Sequence, residues 1–164
     1  MIEVYLESMA TGAGVWFGLP MDDKKLEKLV DTFTQGGRHD VIIKDYEGPI
    51  RIGEFANLQQ LNTLVKELEE AAKDAGIGEE ELQALLEVVD DPEEALQYIE
   101  DGAVRFYRAE SWEDLAMDLV YDYDWMEIPE RLRGYIDYEK LGRDLQYEGN
   151  FYKASNGYFV ELID

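Results

Sequence analysis

Carboxylates interrupt almost every apolar run of this chain. Between Leu58 and Ile99 the leucines alternate with Glu67, Glu69, Glu70, Asp74, Glu79, Glu80, Glu81, Glu87, Asp90, Asp91, Glu93 and Glu94. Apolar residues three and four apart must face a core, so the acidic groups between them are forced outward on the same helices. Folding therefore fixes their positions relative to one another. They also repel, which costs stability and favours an extended form. The 164 residues contain 38 Asp and Glu against 15 Lys and Arg, a net charge of −23. Residues 1–55 carry 10 acidic and 6 basic groups, residues 56–105 carry 14 and 3, and residues 106–164 carry 14 and 6. About four fifths of the net charge thus lies beyond residue 55.

This charge excludes some partners and favours others. Bare nucleic acid and anionic membranes are polyanions and would be repelled. Basic surfaces, cations and proteins that ordinarily hold nucleic acid remain. At 46% hydrophobic residues, charge-driven disorder is not expected. Cysteine is absent, which removes disulfides, thiol nucleophiles and cysteine-ligated metals. The opening MIEVYLESMA has Glu3 and Glu7 and no basic start, so no signal peptide is expected. No stretch approaches the roughly 20 apolar residues of a membrane span. The expectation is a soluble, intracellular protein.

Local patterning places the elements. Ile2 to Leu6 and Val15 to Leu19 read as strands around a turn at Thr11 to Gly14, the second stopped by Pro20. Asp22 or Asp23 caps a helix to about Phe33, and Gly36-Gly37 ends it. Asp40 to Tyr46 is a strand, with a short extension at Pro49 to Ile52. Helices are expected from Asn57 to Ala75, from Glu79 to Val88, and from the Asp91-Pro92 cap to Ile99. Ala103 to Tyr107 is a strand, and Ser111 caps a helix to about Tyr123 with Trp112, Leu115, Leu119 and Tyr123 in its stripe. A helical turn at Pro129 to Leu132, a helix from Asp137 to Tyr147 and a hairpin from Phe151 to Leu162 around Asn156-Gly157 complete the chain. The fold class is α+β, ordered as αβ, then α, then αβ.

Catalytic and metal motifs fail one by one. Asp122 and Asp124 resemble the start of a calcium loop, but Met126, Glu127 and Pro129 break its pattern. His39 stands alone, so no histidine zinc motif exists. Glu54, Glu127 and Glu139 carry no feature marking an acid/base pair, and Ser8, Ser111 and Ser155 lack the Gly-x-Ser-x-Gly elbow. Asp22-Asp23-Lys24-Lys25 has a nuclease-like spacing at a helix start, where Asp caps and Lys is ordinary. The glycine clusters lack a phosphate-loop Lys-Ser/Thr. No catalytic residue, metal ligand or cofactor is expected. Aromatic residues crowd the last third, where they suit a core, or a core together with a self-association surface.

The acidic surface is then itself the functional feature. At the charge density of B-DNA, one phosphate per roughly 1.7 Å, 38 carboxylates in line would span about 65 Å, and two chains about 130 Å or roughly 38 base pairs. The net charge alone gives a pair of chains about 80 Å, roughly 23 base pairs.

The opening IEVYLESM and the segment GVWFGLP at 14–20, the run IGEFANLQQLNTLVKEL at 52–68, IPERLRGYIDYEKLGRDLQYEGNFY at 128–152 and the closing NGYFVELID together resemble the ArdA family of antirestriction proteins. The resemblance covers essentially the whole chain. It implies an elongated protein of three small domains, divided here as residues 1–59 (αβ), 60–103 (helical and acidic) and 104–164 (αβ, dimerising). It implies a mimic of bent B-DNA that occupies the DNA-binding site of Type I restriction–modification enzymes, on their specificity and modification subunits. Such proteins are carried by plasmids and conjugative transposons, act in a bacterial cytoplasm and have no catalytic residues. On this reading the partner-facing carboxylates are Glu67, Glu70, Asp74, Glu79, Glu80, Glu87, Glu94, Asp114, Asp118, Asp122 and Asp144. Asp144 has a second role open to it, an ion pair with Arg143. The homodimer interface is expected among Tyr121, Trp125, Tyr135 and Tyr138. Two rivals stand beside this reading: an acidic module for another basic DNA-binding protein, and an enzyme with a concave carboxylate or metal site.

Overall fold

Ile2, Val4 and Leu6 alternate with Glu3, Tyr5 and Glu7, and that period of two becomes strand β1 (Ile2–Ser8) of a three-stranded antiparallel sheet. A computed structural model describes residues 1–53 and 56–164 of the chain. Glu54 and Phe55, the first weighed above as an acid/base group, lie outside these residues. β1 is central in the sheet, between β2 (Gly14–Leu19) and β3 (Val41–Glu47). Register pairs Ile2 with Leu19, Val4 with Phe17 and Leu6 with Ile43, so one face is apolar and buried. Helix α1 (Asp23–Thr34) lies between β2 and β3 in sequence, capped by the Asp22 carboxylate, which accepts from the N–H groups of Lys24 and Lys25. It buries Leu26 in the shared core.

The expected extension at Pro49 to Ile52 does not form. β3 ends at Glu47, and Gly48 turns the chain at φ 146°, with Ile2 Cα only 3.1 Å from where a Cβ would stand. Ile50 is buried there from a bend, without strand pairing.

Three helices follow: α2 (Leu58–Asp74), α3 (Glu79–Val88) and α4 (Pro92–Glu100). Their caps are legible chemistry. Asn57 accepts from Gln60 N–H, Glu81 reaches back to the Gly78 N–H, and Asp91 accepts from Glu93 N–H ahead of Pro92. Leu58, Leu61, Val65 and Leu68 of α2 meet the sheet core, and Leu82, Leu85, Ala95 and Ile99 of α3 and α4 join the same cluster. The boundary drawn between residues 59 and 60 falls in the first turn of α2. Asn62, fully buried on α2, ties that helix to the start of α1. Its Oδ1 accepts from Met21 N–H at 2.9 Å, and its Nδ2 donates to Met21 O and to Asp23.

The last segment has its own sheet. β4 (Val104–Arg108), β5 (Phe151–Lys153) and β6 (Tyr158–Leu162) pair antiparallel in the order β4-β6-β5. Helix α5 (Trp112–Tyr121), the short α6 (Glu130–Arg133) and α7 (Tyr138–Glu148) lie between β4 and β5 in sequence. The helix expected to reach Tyr123 stops at Tyr121, because the chain reverses at Asp124, whose φ is 47°. Tyr123 is exposed and meets Tyr107 edge-on at 4.9 Å. Gly142 explains how α7 passes α5. A Cβ there would stand 2.7 Å from the backbone carbonyl of Trp112, so only glycine permits the crossing. The second core cluster gathers Tyr107, Leu115, Leu119, Tyr138, Leu145, Phe151 and Phe159. The fold is mixed α+β, as expected.

Candidate functional site

No acidic side chain among the described residues is buried, and only Glu7, Glu81, Asp118 and Glu161 are even half-buried. Few are neutralised. Ion pairs among the described residues engage Asp23 with Lys66 at 2.8 Å, Asp90 with Arg51, Asp124 with Arg133, Glu139 with Arg143, and Glu69 with the Met1 amine. The other described carboxylates have no cation partner among those residues, and all but the four half-buried ones stand in solvent. Such a surface repels itself and attracts basic groups.

The expected carboxylates divide by element. Glu67, Glu70 and Asp74 project from α2 and, with Glu100 of α4, rim an open depression of about 440 Å³ floored by Ala71, Ala75 and Ile99. Glu79 and Glu80 open α3, where the helix dipole favours them. Glu94 is exposed on α4. Asp114, Asp118 and Asp122 recur every fourth residue along α5 and its cap, one above another. Partial burial and then the charges of Asp122 and Asp114 raise the Asp118 carboxyl above its ordinary value. Asp144 is exposed on α7, and Arg143 turns instead to Glu139 at 3.5 Å.

Glu87 has a different role. Its carboxylate accepts from Ser155 N–H at 2.9 Å and from Ser155 Oγ at 2.8 Å, while Asn156 Nδ2 donates to Glu80 O. These bonds hold the β5–β6 turn against α3, and they occupy oxygens that the sequence reading gave to a partner. The signal was absent from sequence because the contact spans 68 residues.

Two of the four expected interface aromatics suit a surface. Tyr135 is 87% exposed and Tyr121 is 45% exposed, with Met117, Met126 and Leu132 also exposed nearby in sequence. Trp125 is half-buried against Phe151. Tyr138 is a correction: it is buried in the second core cluster, and its hydroxyl donates to Arg133 O, so it has no ring face to offer a second copy.

Several of the residues set aside as catalytic candidates have structural work. Asp22 caps α1, and Asp23 holds Lys66 and Asn62, bonds that lower its carboxyl below the ordinary range. Ser8 is buried at the end of β1, Ser111 caps α5, and Ser155 meets Glu87. Among the described residues no group of His, Asp and Glu is placed to hold a metal ion, and no helix is long and apolar enough to cross a membrane.

Among family models, the one described as antirestriction protein (ArdA) matches residues 9–160. No curated protein matches the chain.

Proposed function

This chain belongs to the ArdA family of antirestriction proteins, and from that membership we propose that it blocks Type I restriction–modification enzymes by standing in for the B-DNA they bind. The observation that carries the proposal is the outward, largely unpaired carboxylate surface of α2 to α5. A DNA-binding enzyme presents Lys and Arg to phosphates. Carboxylates at comparable spacing engage the same cations and exclude the duplex. Each exposed contact is modest, about 0–1 kcal/mol, so affinity accumulates over many of them. The net charge of −23 also steers encounter with a basic groove and makes binding salt-sensitive. The binding partners are the specificity and modification subunits, in a bacterial cytoplasm entered by a plasmid or conjugative transposon.

An extended shape serves this role. The accessible surface is 10234 Å², against about 8,300 Å² for a compact monomer of 18.9 kDa. The excess supports an extended chain, which we read as three units divided near residues 60 and 103, the first two sharing one apolar core, that doubles its length by pairing through the C-terminal unit. Tyr121 and Tyr135 are the aromatic contacts we assign to that pairing.

A competition titration tests the reading. Labelled DNA is bound to a purified Type I modification complex, and the protein is added at two salt concentrations. Displacement near one dimer per enzyme, weaker at high salt, is expected. Failure of folded protein to displace DNA at micromolar concentration refutes it for that enzyme.

A further inference from the structure

The β2-β1-β3 sheet is apolar on one face, which packs into the core. Its other face carries Glu3, Tyr5 and Glu7 on β1, Gly14, Trp16 and Gly18 on β2, and Asp45 and Glu47 on β3, with Ile42 opposite Glu7 beyond the register shift. Tyr5 pairs with Trp16, and their rings stand 5.3 Å apart at 45°. Packing explains most of the segment from Gly14 to Leu19. Phe17 and Leu19 are buried, and Gly14 yields its side-chain space to the Tyr5 ring, whose hydroxyl stands where a Cβ would need to be. Trp16 packs against the Tyr5 ring and is otherwise open: it is 45% exposed, and no described residue lies within 4 Å of where a Cβ would stand on neighbouring Gly18.

The surroundings of this aromatic pair are acidic. Glu3 is flanked directly across the strands by Glu47, and Tyr5 by Asp45. Like charges directly opposite in a sheet are destabilising, and neither Glu3 nor Glu47 has a cation partner among the described residues. Lys44, at the register shift, is the nearest base in sequence. An aromatic face attracts cations through its quadrupole. A guanidinium is planar, stacks on such a face and donates in a fork to carboxylates, which an ammonium cannot do.

We propose that this sheet face docks an arginine side chain of the partner protein, stacked on Trp16 and bonded to the carboxylates around it. The proposal rests on the reading that the partner is a basic, phosphate-binding enzyme. It gives residues 1–55, which carry little of the net charge, a short-range contact of their own.

Trp16, Trp112 and Trp125 give three indole N–H signals in the isotope-labelled full-length protein. Titration with a hexa-arginine peptide at physiological salt is expected to shift the Trp16 signal saturably, with hexalysine weaker. Trp16→Leu keeps apolar area and removes the ring. It should weaken hexa-arginine binding and DNA displacement about two- to tenfold while leaving the other two indole signals in place. If that variant does not fold, Glu3→Gln with Glu47→Gln should weaken the Trp16 response instead. An unmoved Trp16 signal overturns the proposal. So does a shift that grows with protein concentration alone, which would report a second copy. Wild-type displacement of DNA matched in full by Trp16→Leu overturns the docking face and leaves mimicry standing. If the wild type displaces no DNA, mimicry fails, and the Trp16 response to hexa-arginine decides the docking face by itself.

Discussion

Replacing Glu67 and Glu70 by Gln and Asp74 by Asn should move stability and inhibition in opposite directions. Glu67 and Glu70 are three apart on α2, and Glu70 and Asp74 four apart. Each like-charge pair costs a helix about 0.2–0.5 kcal/mol. Removing both pairs gains about 0.4–1 kcal/mol, less about 0.3 kcal/mol for the lost attraction between Glu70 and Lys73. A chain of this size shifts its Tm by about 2–4 °C per kcal/mol, so the triple variant should melt at the same temperature or up to about 3 °C higher. Inhibition goes the other way. Three exposed charge contacts at about 0.2–1 kcal/mol each amount to about 0.6–3 kcal/mol, about a 3- to 150-fold loss of affinity. The log–log dependence of affinity on salt should become shallower by about three. Thermal melting by circular dichroism and DNA displacement from a Type I modification complex read the two effects. A variant equally potent at both salt concentrations refutes the reasoning. A lower Tm would show that these carboxylates hold the fold together.

Three further outcomes are expected. Gly142→Ala forces a methyl against the Trp112 backbone at 2.7 Å, and overpacking of about 1–3 kcal/mol should outweigh the ~1 kcal/mol gain in helix propensity; urea denaturation showing a more stable variant would contradict this. Asn62→Ala strands the Met21 N–H and C=O, so a loss of about 2–4 kcal/mol and a fall in Tm of about 5–15 °C are expected, and a loss under about 1 kcal/mol would mean the bonds are dispensable. The raised carboxyl of Asp118 means that the folded state holds that proton more tightly than the unfolded chain, so its ionisation costs stability as pH rises through the raised pKa. Asp118→Asn should therefore melt higher than wild type at pH 7, and the advantage should fade as pH falls below the ordinary 3.8; a variant less stable at pH 7 contradicts the sign.

Most elements were legible in sequence because their signals are local. Asp22, Asn57, Asp91, Ser111 and Asp137 cap the helices where capping chemistry places them. The strand misread at Pro49 to Ile52 shows the limit. Ile50 is buried, as a strand residue would be, yet Gly48 turns the chain away from the ladder. Exposure of the carboxylates was also legible, since it follows from apolar spacing on α2 and α3. What escaped were contacts made across the fold. Glu87 looks like its neighbours on α3 until the β5–β6 turn brings Ser155 to it. Tyr138 looks like Tyr135, yet one is core and the other almost wholly in solvent, because one falls on the face of α7 that meets α5. The Trp16 platform needed the register of β1 and β2 to bring Tyr5 beside it.

DNA mimicry requires many carboxylates along the chain to meet the enzyme together. Carbodiimide labelling of carboxylates, read by mass spectrometry with and without a bound Type I modification complex, tests it most directly. Graded protection of Glu67, Glu70, Asp74, Glu79, Glu80, Glu94, Asp114, Asp118, Asp122 and Asp144 is expected, with Glu87 already slow to label in the free protein. Protection confined to one short patch, or none on α2 to α5 while the enzyme is bound, would contradict it.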